Sequence, residues 1–158
     1  MKIIALYGPA NTGKSTTLKL VAENLKKSLN QTGNPVAIAN DDYRYTFTLP
    51  KGDMVCITTA GDNDIIQIDN ADYALKQSAD IWVTASHVKD SSIGPVMNLA
   101  QAGHAPYVIW VEKLRALINK QDTNYKNNYG VDQPKLFFET ISDRMNHIDA
   151  DRILNLIY

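Results

Sequence analysis

The residues best suited to chemistry lie near the start of the chain, where two glycines enclose four residues and a lysine and a serine follow. Glycines permit backbone conformations that are closed to residues with a Cβ atom, so successive N–H groups can turn inward around an anion. Lys14 would bring a positive charge to the β- and γ-phosphate oxygens, and Ser15 would offer a hydroxyl ligand to Mg²⁺. Residues 8–15, which we call the glycine loop, are therefore predicted to bind a nucleoside triphosphate. The predicted nucleotide contacts are Gly8, Pro9, Ala10, Asn11, Thr12, Gly13, Lys14, Ser15 and Thr16.

The glycine loop matches G-x-x-x-x-G-K-[ST] at every fixed position and resembles the Walker A motif of the P-loop NTPase superfamily. The resemblance is strong over residues 3–29 and only architectural beyond them, where the layout is similar to that of small nucleotide-kinase-like proteins. It implies a three-layer α/β/α sandwich with a mainly parallel sheet that binds ATP or GTP with Mg²⁺. It does not assign a branch of the superfamily, because a fold does not by itself define a function.

Aspartates at the ends of predicted strands are the candidates for the acidic group that P-loop proteins place near Mg²⁺. Asp62 and Asp64 follow the apolar run 54–59, and we predict Asp62 as a metal ligand beside Ser15. Asp41 and Asp42 follow an earlier predicted strand, where either could orient an acceptor or act as a base. Which of the four serves the metal stays open at this point.

Two segments resemble GTPase motifs but depart from them. Thr58-Thr59-Ala60-Gly61 resembles the D-x-x-G switch with threonine in place of the aspartate, which removes the expected acidic group. Asn119-Lys120-Gln121-Asp122 matches the guanine-reading pattern N-K-x-D, but it does not directly follow a buried strand. We therefore predict ATP rather than GTP as the nucleotide.

Alternating apolar and amphipathic segments predict one α/β domain over residues 1–158 with a mainly parallel sheet. Strands are predicted at residues 3–7, 36–39, 54–59, 81–85 and 107–111. Period-two alternation over residues 43–49 and the turn at 50–52 add an antiparallel hairpin near residues 43–59. Its stripe of Tyr43, Tyr45 and Phe47 favours core packing over a base-stacking platform.

Helices are predicted from hydrophobic periodicity and capping residues. The first predicted helix covers residues 14–29, the second runs from a cap at Asp69 or Asn70 to residue 79, and the third begins at Ser91 or Ser92 and ends at Gly103. A fourth is capped by Asp132, and a last one covers residues 151–157. The apolar face of the fourth helix consists of Leu136, Phe137, Ile141, Met145 and Ile148. The stretch after the strand at 107–111 could form either a sparse basic lid or a solvated, partly mobile loop; the members of such a lid would be Lys113, Arg115, Lys120 and Lys126.

The composition of the chain bears on its binding partners and on its cellular compartment. A net charge of −1 argues against general nucleic-acid binding, which usually needs a basic face. No stretch is long enough to span a membrane. The single cysteine, Cys56, sits in an apolar run and is predicted to be buried and inert, so a cytoplasmic setting is expected.

The leading hypothesis is a small Mg²⁺-dependent phosphotransferase or ATPase that uses ATP. Lys14 would stabilise charge on the transferred phosphoryl group, Ser15 and Asp62 would hold Mg²⁺, and Asp41 or Asp42 would orient an acceptor or water. The alternative is a nucleotide-dependent switch that controls a partner protein and hydrolyses slowly. A third possibility is a protein that binds nucleotide without chemistry.

Overall fold

The computed structural model describes residues 1–38, 41–61, 63–87, 92–105, 108–115 and 135–158, and for residues 135–142 the backbone alone. Within these residues it contains six strands and four helices. They are β1 (Lys2–Tyr7), α1 (Lys14–Leu29), β2 (Val36–Ala37), β3 (Tyr43–Thr48), β4 (Met54–Thr58), α2 (Asp64–Lys76), β5 (Ile81–Ser86), α3 (Ile93–Gln101), β6 (Val108–Glu112) and α4 (Lys135–Ile157).

All six strands join one sheet in the order β2-β3-β4-β5-β1-β6. The four strands β4, β5, β1 and β6 are parallel, whereas β3 pairs antiparallel with both β2 and β4. The mainly parallel α/β sheet and the antiparallel hairpin near residues 43–59 are thus confirmed. The chain runs from β5 past β1 to reach β6, so the order of the strands reverses beside β1, where ligands collect in open α/β sheets.

Helices pack on both faces of this sheet. On one face, Leu18, Val21 and Leu25 of α1 lie in a buried cluster with Ile153 and Ile157 of α4. The other face is covered by α2 and α3; their buried residues there are Ala71, Ala74, Val96 and Leu99. The apolar spacing that predicted α1 is confirmed, since the same face of that helix is buried.

Two predicted helix boundaries are wrong. α2 begins at Asp64, where Asn63 is the N-cap and its Oδ1 accepts a hydrogen bond from Ile66 N at 2.9 Å; Asp69 and Asn70 lie inside the helix. The first two buried residues of α2, Gln67 and Asn70, are polar. A pattern based on apolar residues therefore does not detect where this helix begins.

The two helices predicted near the C-terminus form one helix, α4, which continues without a break through Asp151, the predicted start of the second helix. Ile148 is 49% exposed, so the predicted apolar face is also wrong at that position, while Asn146, Asp149 and Ala150 are buried. The predicted cap Asp132 lies outside the described residues. None of the helices in the described part is long and apolar enough to cross a membrane.

The aromatic stripe of β3 belongs to the core. Tyr45 and Phe47 are 6% and 1% exposed, and their rings stack 6.4 Å apart at 20°. A Cβ on Gly33 would lie 2.4 Å from Phe47 Cζ, so the chain passes directly against this ring. Core packing of the stripe is therefore confirmed.

Cys56 lies fully buried on β4, and burial raises its pKa from 9.0 to about 12. An unfolded chain loses this thiol proton above pH 9 while the native chain retains it. Between pH 9 and 12 the native state therefore binds more protons, and the free energy of unfolding should fall by up to about 1.4 kcal/mol per pH unit from this group. Denaturant titrations at several pH values should show this slope in the native sequence and lose it in Cys56→Ala. A native chain that reacts with an aromatic disulfide reagent at pH 8 as fast as an unfolded chain does would contradict this account.

Candidate functional site

The glycine loop joins the end of β1 to the start of α1 at the carboxyl edge of the sheet. Gly13 adopts the left-handed conformation, with φ 81° and ψ 27°, as the residue before the helix. The first N–H groups of any helix have no carbonyl partner within the helix. α1 has no side-chain cap and no acidic residue in its first turn to accept from them. These donors and the positive end of the helix dipole favour an anion here.

The residues around these donors are arranged as a compact turn. Thr12 is fully buried and its hydroxyl donates to Pro9 O at 2.8 Å. Asn11 is left-handed at φ 58°. The exposed members are Pro9, Ala10, Asn11 and Thr16. The turn thus ties its own ends together and leaves its middle open to a ligand.

Lys14 is almost completely buried, at 5% exposed, and its side chain turns back across the loop. Its Nζ donates to Gly8 O at 3.1 Å and to Pro9 O at 3.0 Å. An ammonium group held on carbonyl oxygens can move to an incoming anion, which makes a stronger charge-assisted bond.

A cavity of about 480 Å³ opens over the loop and the first turn of α1. Its lining residues are Asn11, Thr12, Gly13, Lys14, Ser15, Thr16, Arg115, Asp143 and Asn146. Six of the nine predicted nucleotide contacts therefore face one cavity. Arg115, a candidate member of the basic lid, is one of these lining residues.

Ser15 is linked through Thr59 to Asp42. The Ser15 hydroxyl donates to Thr59 O at 3.0 Å, and the Thr59 hydroxyl donates to Asp42 Oδ1 at 2.7 Å. Tyr43 N donates to Thr59 Oγ1 at 2.9 Å, which fixes that hydroxyl from the other side. The structure thus brings two predicted site residues, Ser15 and Asp42, onto one residue that the sequence did not single out.

The other three candidate aspartates are Asp41, Asp64 and Asp62. Asp41 is exposed and left-handed at φ 60°. Asp64 is exposed at the start of α2, where its Oδ1 accepts from Ile65 N at 3.0 Å, as a helix N-terminus favours. Asp62, predicted as a metal ligand, lies outside the described residues. Across the described ranges, no three His, Cys, Asp or Glu residues group in a way that could hold a metal ion by themselves.

Behind the glycine loop lies a buried ionic cluster. Lys113 follows β6 and is fully buried; its Nζ lies 3.0 Å from Asp149 Oδ2 and donates to Thr17 Oγ1 and Asn146 Oδ1, both at 2.7 Å. Burial lowers the pKa of Lys113, and the hydrogen bond and charge of Asp149 oppose that change. The sequence offers Lys113 for a basic lid or a solvated loop, and both interpretations are wrong for this residue because its charge is buried inside the fold. Lys120 and Lys126 lie outside the described residues.

Asn146 connects this cluster to the loop. Its Oδ1 accepts from Thr17 Oγ1 at 3.2 Å, and a Cβ on Gly13 would lie 2.8 Å from the same oxygen. A Cβ on Gly8 would likewise lie 3.1 Å from Lys113 Cβ. Gly13 is therefore favoured both by close packing against the cluster and by its left-handed backbone, whereas Gly8 is favoured by close packing alone.

A second polar network lies on the opposite face, under α2. The Thr58 hydroxyl donates to Thr84 Oγ1 at 2.9 Å and accepts from Trp82 Nε1 at 3.1 Å, and Thr84 Oγ1 contacts Gln67 Oε1 at 3.2 Å. Thr58 stands where the GTPase-like pattern would place aspartate. Its side chain is therefore used in this buried network rather than at Ser15.

Asn70, predicted as a helix cap, is buried in the same network. Its Nδ2 donates to Ala60 O at 2.8 Å, and its Oδ1 accepts from Arg44 Nε at 2.9 Å. The strand end at Ala60 is thus held from the α2 side as well. Arg44 also lies over the Tyr73 ring at 5.2 Å.

Comparisons with protein-family models, curated proteins and solved structures give no match for this chain. Any function of the chain must therefore be inferred from the residues of the site. The Asn119–Lys120–Gln121–Asp122 segment, which matches the guanine-reading pattern, lies outside the described residues.

Proposed function

We propose that the chain is a P-loop protein of the three-layer α/β/α class that binds ATP with Mg²⁺ and transfers or hydrolyses its terminal phosphate. The observation that carries the proposal is the glycine loop between a buried strand and an uncapped helix, with Gly13 left-handed and Lys14 Nζ turned onto the loop carbonyls. Helices on both faces of a mainly parallel sheet support the same class.

The residues present fit a triphosphate. Lys14, Ser15 and Thr16 at the start of α1 line the same cavity as Asn11, Thr12 and Gly13 of the loop. In this proposal the loop amides and Lys14 hold the phosphates, and Lys14 stabilises negative charge that develops on the transferred group.

The residues also fit a magnesium ion that the phosphates help to hold. Ser15 donates its hydroxyl proton to Thr59 O, and this leaves its oxygen able to accept a cation. A bound Mg²⁺ would neutralise charge on the phosphates. Asp41 and Asp42, at the adjoining strand end, would orient an acceptor or water.

The first test is direct binding of a fluorescent ATP analogue. Lys14→Met keeps the length of the side chain but removes its charge, and we expect affinity to fall about 10- to 150-fold, the equivalent of about 1.5–3 kcal/mol for hydrogen bonds to a charged group. Thermal unfolding of the variant checks that it remains folded.

Lys19→Met is the matched control, since Lys19 lies on the same helix and is only half-buried. Its affinity for the analogue should stay within about twofold of the original. Equal affinity of the original chain and Lys14→Met would overturn the proposal, as would weakening by Lys19→Met to the same degree.

One observation favours the switch alternative. The end of β4 presents threonines, and the hydroxyl of Ser15 bonds to a backbone oxygen rather than to a carboxylate. A protein with this arrangement could hydrolyse slowly until a partner completes the site. Single-turnover measurement decides: rapid transfer to a small acceptor identifies a phosphotransferase, and slow hydrolysis that a partner accelerates identifies a switch.

A further inference from the structure

We infer that Thr59 is a positioning residue that assigns Asp42, among the candidate aspartates that the structure describes, to the cation at Ser15. The inference rests on the proposed function and deepens it, because it selects the acidic group and the residue that holds it. It starts from four hydrogen bonds that meet on Thr59.

Thr59 is fully buried and both of its polar ends are used. Its backbone O accepts from Ser15 Oγ at 3.0 Å, and its Oγ1 donates to Asp42 Oδ1 at 2.7 Å. Its backbone N donates to Tyr43 O at 3.0 Å, and Tyr43 N donates back to Thr59 Oγ1 at 2.9 Å. With bonds on all sides, the residue has one orientation.

This orientation sets the hydroxyl of Ser15. A serine hydroxyl has one proton and two acceptor lone pairs. Because the proton goes to Thr59 O, the lone pairs of Ser15 Oγ are directed away from that bond, and they are the part of the group that a cation uses.

The orientation of Thr59 also distinguishes Asp42 from the other candidate aspartates in the described part of the chain. The Thr59 hydroxyl accepts from Tyr43 N, so its proton is given to Asp42 Oδ1. Asp42 is therefore held on the residue that Ser15 contacts, whereas Asp41 is exposed on the adjacent left-handed position and Asp64 accepts from the backbone of α2. A carboxylate fixed beside a metal ligand in this way stabilises the cation without direct coordination.

The experiment measures Mn²⁺ bound with ATP, by electron paramagnetic resonance, and nucleotide affinity without metal. Thr59→Val removes the hydroxyl but keeps the backbone oxygen, and Asp42→Asn removes the charge. We expect each to weaken Mn²⁺ about 10- to 100-fold, the range seen when a partner of a metal ligand is lost. Nucleotide affinity without metal should stay within about threefold.

The double variant and two controls make the test specific. Thr59→Val with Asp42→Asn should weaken Mn²⁺ no more than either single change, because both remove one link. Thr59→Ser, which retains the hydroxyl, and Asp41→Asn should both bind Mn²⁺ within about twofold of the original chain.

Each contrary outcome is decisive. If Asp42→Asn binds Mn²⁺ normally, or if the two changes add in full, Asp42 does not act through Thr59 and the inference fails while nucleotide binding stands. An effect of Asp41→Asn as large as that of Asp42→Asn also overturns it. If the original chain binds no nucleotide, the proposed function fails as well.

Discussion

Replacing Asp149 with alanine is expected to lower the free energy of unfolding by about 3–5 kcal/mol, because it leaves the buried Lys113 charge without its partner. Asp149 also accepts hydrogen bonds from Leu114 N at 3.2 Å and from Arg152 at 2.8 Å, which the change removes together. For a chain of this size the melting temperature should fall by roughly 6–20 °C. Denaturant unfolding and calorimetry measure both quantities.

Asp151→Ala is the matched control, since Asp151 is exposed on the same helix. It should change the free energy of unfolding by no more than about 0.5 kcal/mol. Lys113→Met should cost less than Asp149→Ala, because Asp149 keeps Arg152 and the Leu114 amide. Adding Lys113→Met to Asp149→Ala should restore part of the lost free energy of unfolding. A double variant less stable than Asp149→Ala would contradict this explanation.

The cost of Asp149→Ala should also depend on pH. Burial lowers the pKa of Lys113, and without the carboxylate that opposes this change the pKa falls further. Between that lowered pKa and the ordinary value of 10.5, the unfolded chain binds more protons than the native chain, so stability rises with pH. The variant should therefore recover stability relative to the original chain as the pH approaches 10.5.

Replacing Gly61 with alanine should cost about 3 kcal/mol or more, because the new Cβ would lie 2.0 Å from Ala85 O and 2.7 Å from Ala85 C. The clash is with the backbone, so no side-chain rotation relieves it. The end of β5 must move, and Ser86 O in that segment accepts from Gly8 N at 3.3 Å. We therefore expect weaker ATP binding together with lower stability, measured by titration with the fluorescent analogue and by denaturant unfolding.

Gly94→Ala provides the comparison for the same substitution. Gly94 lies in α3, and a Cβ there meets nothing within 4 Å. Alanine should stabilise the helix by about 0.5–1 kcal/mol. If Gly61→Ala were as stable as Gly94→Ala, the close approach of Gly61 to β5 would not exist in solution.

The sequence predicted the elements whose signals are local. α1 is defined by the spacing of Leu18, Val21 and Leu25, and β3 by period-two alternation, so both were located correctly. α2 and α4 were misjudged because their buried faces include the polar residues Gln67, Asn146 and Asp149. These residues have buried partners far along the chain, which are Ala85 O, Thr17 and Lys113 respectively. Periodicity that counts apolar residues alone cannot find such faces.

The candidate site likewise contains residues that the sequence identifies and residues that it does not. The glycine loop is a contiguous motif, and Asp42 and Ser15 could be named from their positions after strands. The role of Thr59 could not be predicted from the sequence, because it depends on hydrogen bonds to Asp42 and Ser15, which lie 17 and 44 positions away. Lys113 has both polar and apolar neighbours in the sequence, as a surface cation does. Its burial follows from its position behind Gly8, which the sequence alone does not show.

The contact between Thr17 and Asn146 joins residues 129 positions apart, and this has a consequence for synthesis of the chain. A ribosome adds about 5–20 residues per second, so Asn146 is made roughly 6–26 s after Thr17. During that interval Gly8, Gly13 and Lys14 exist without the packing that shapes them. A nascent chain should therefore gain its affinity for nucleotide late and abruptly, when α4 docks, even though the binding motif is among the first parts to be translated.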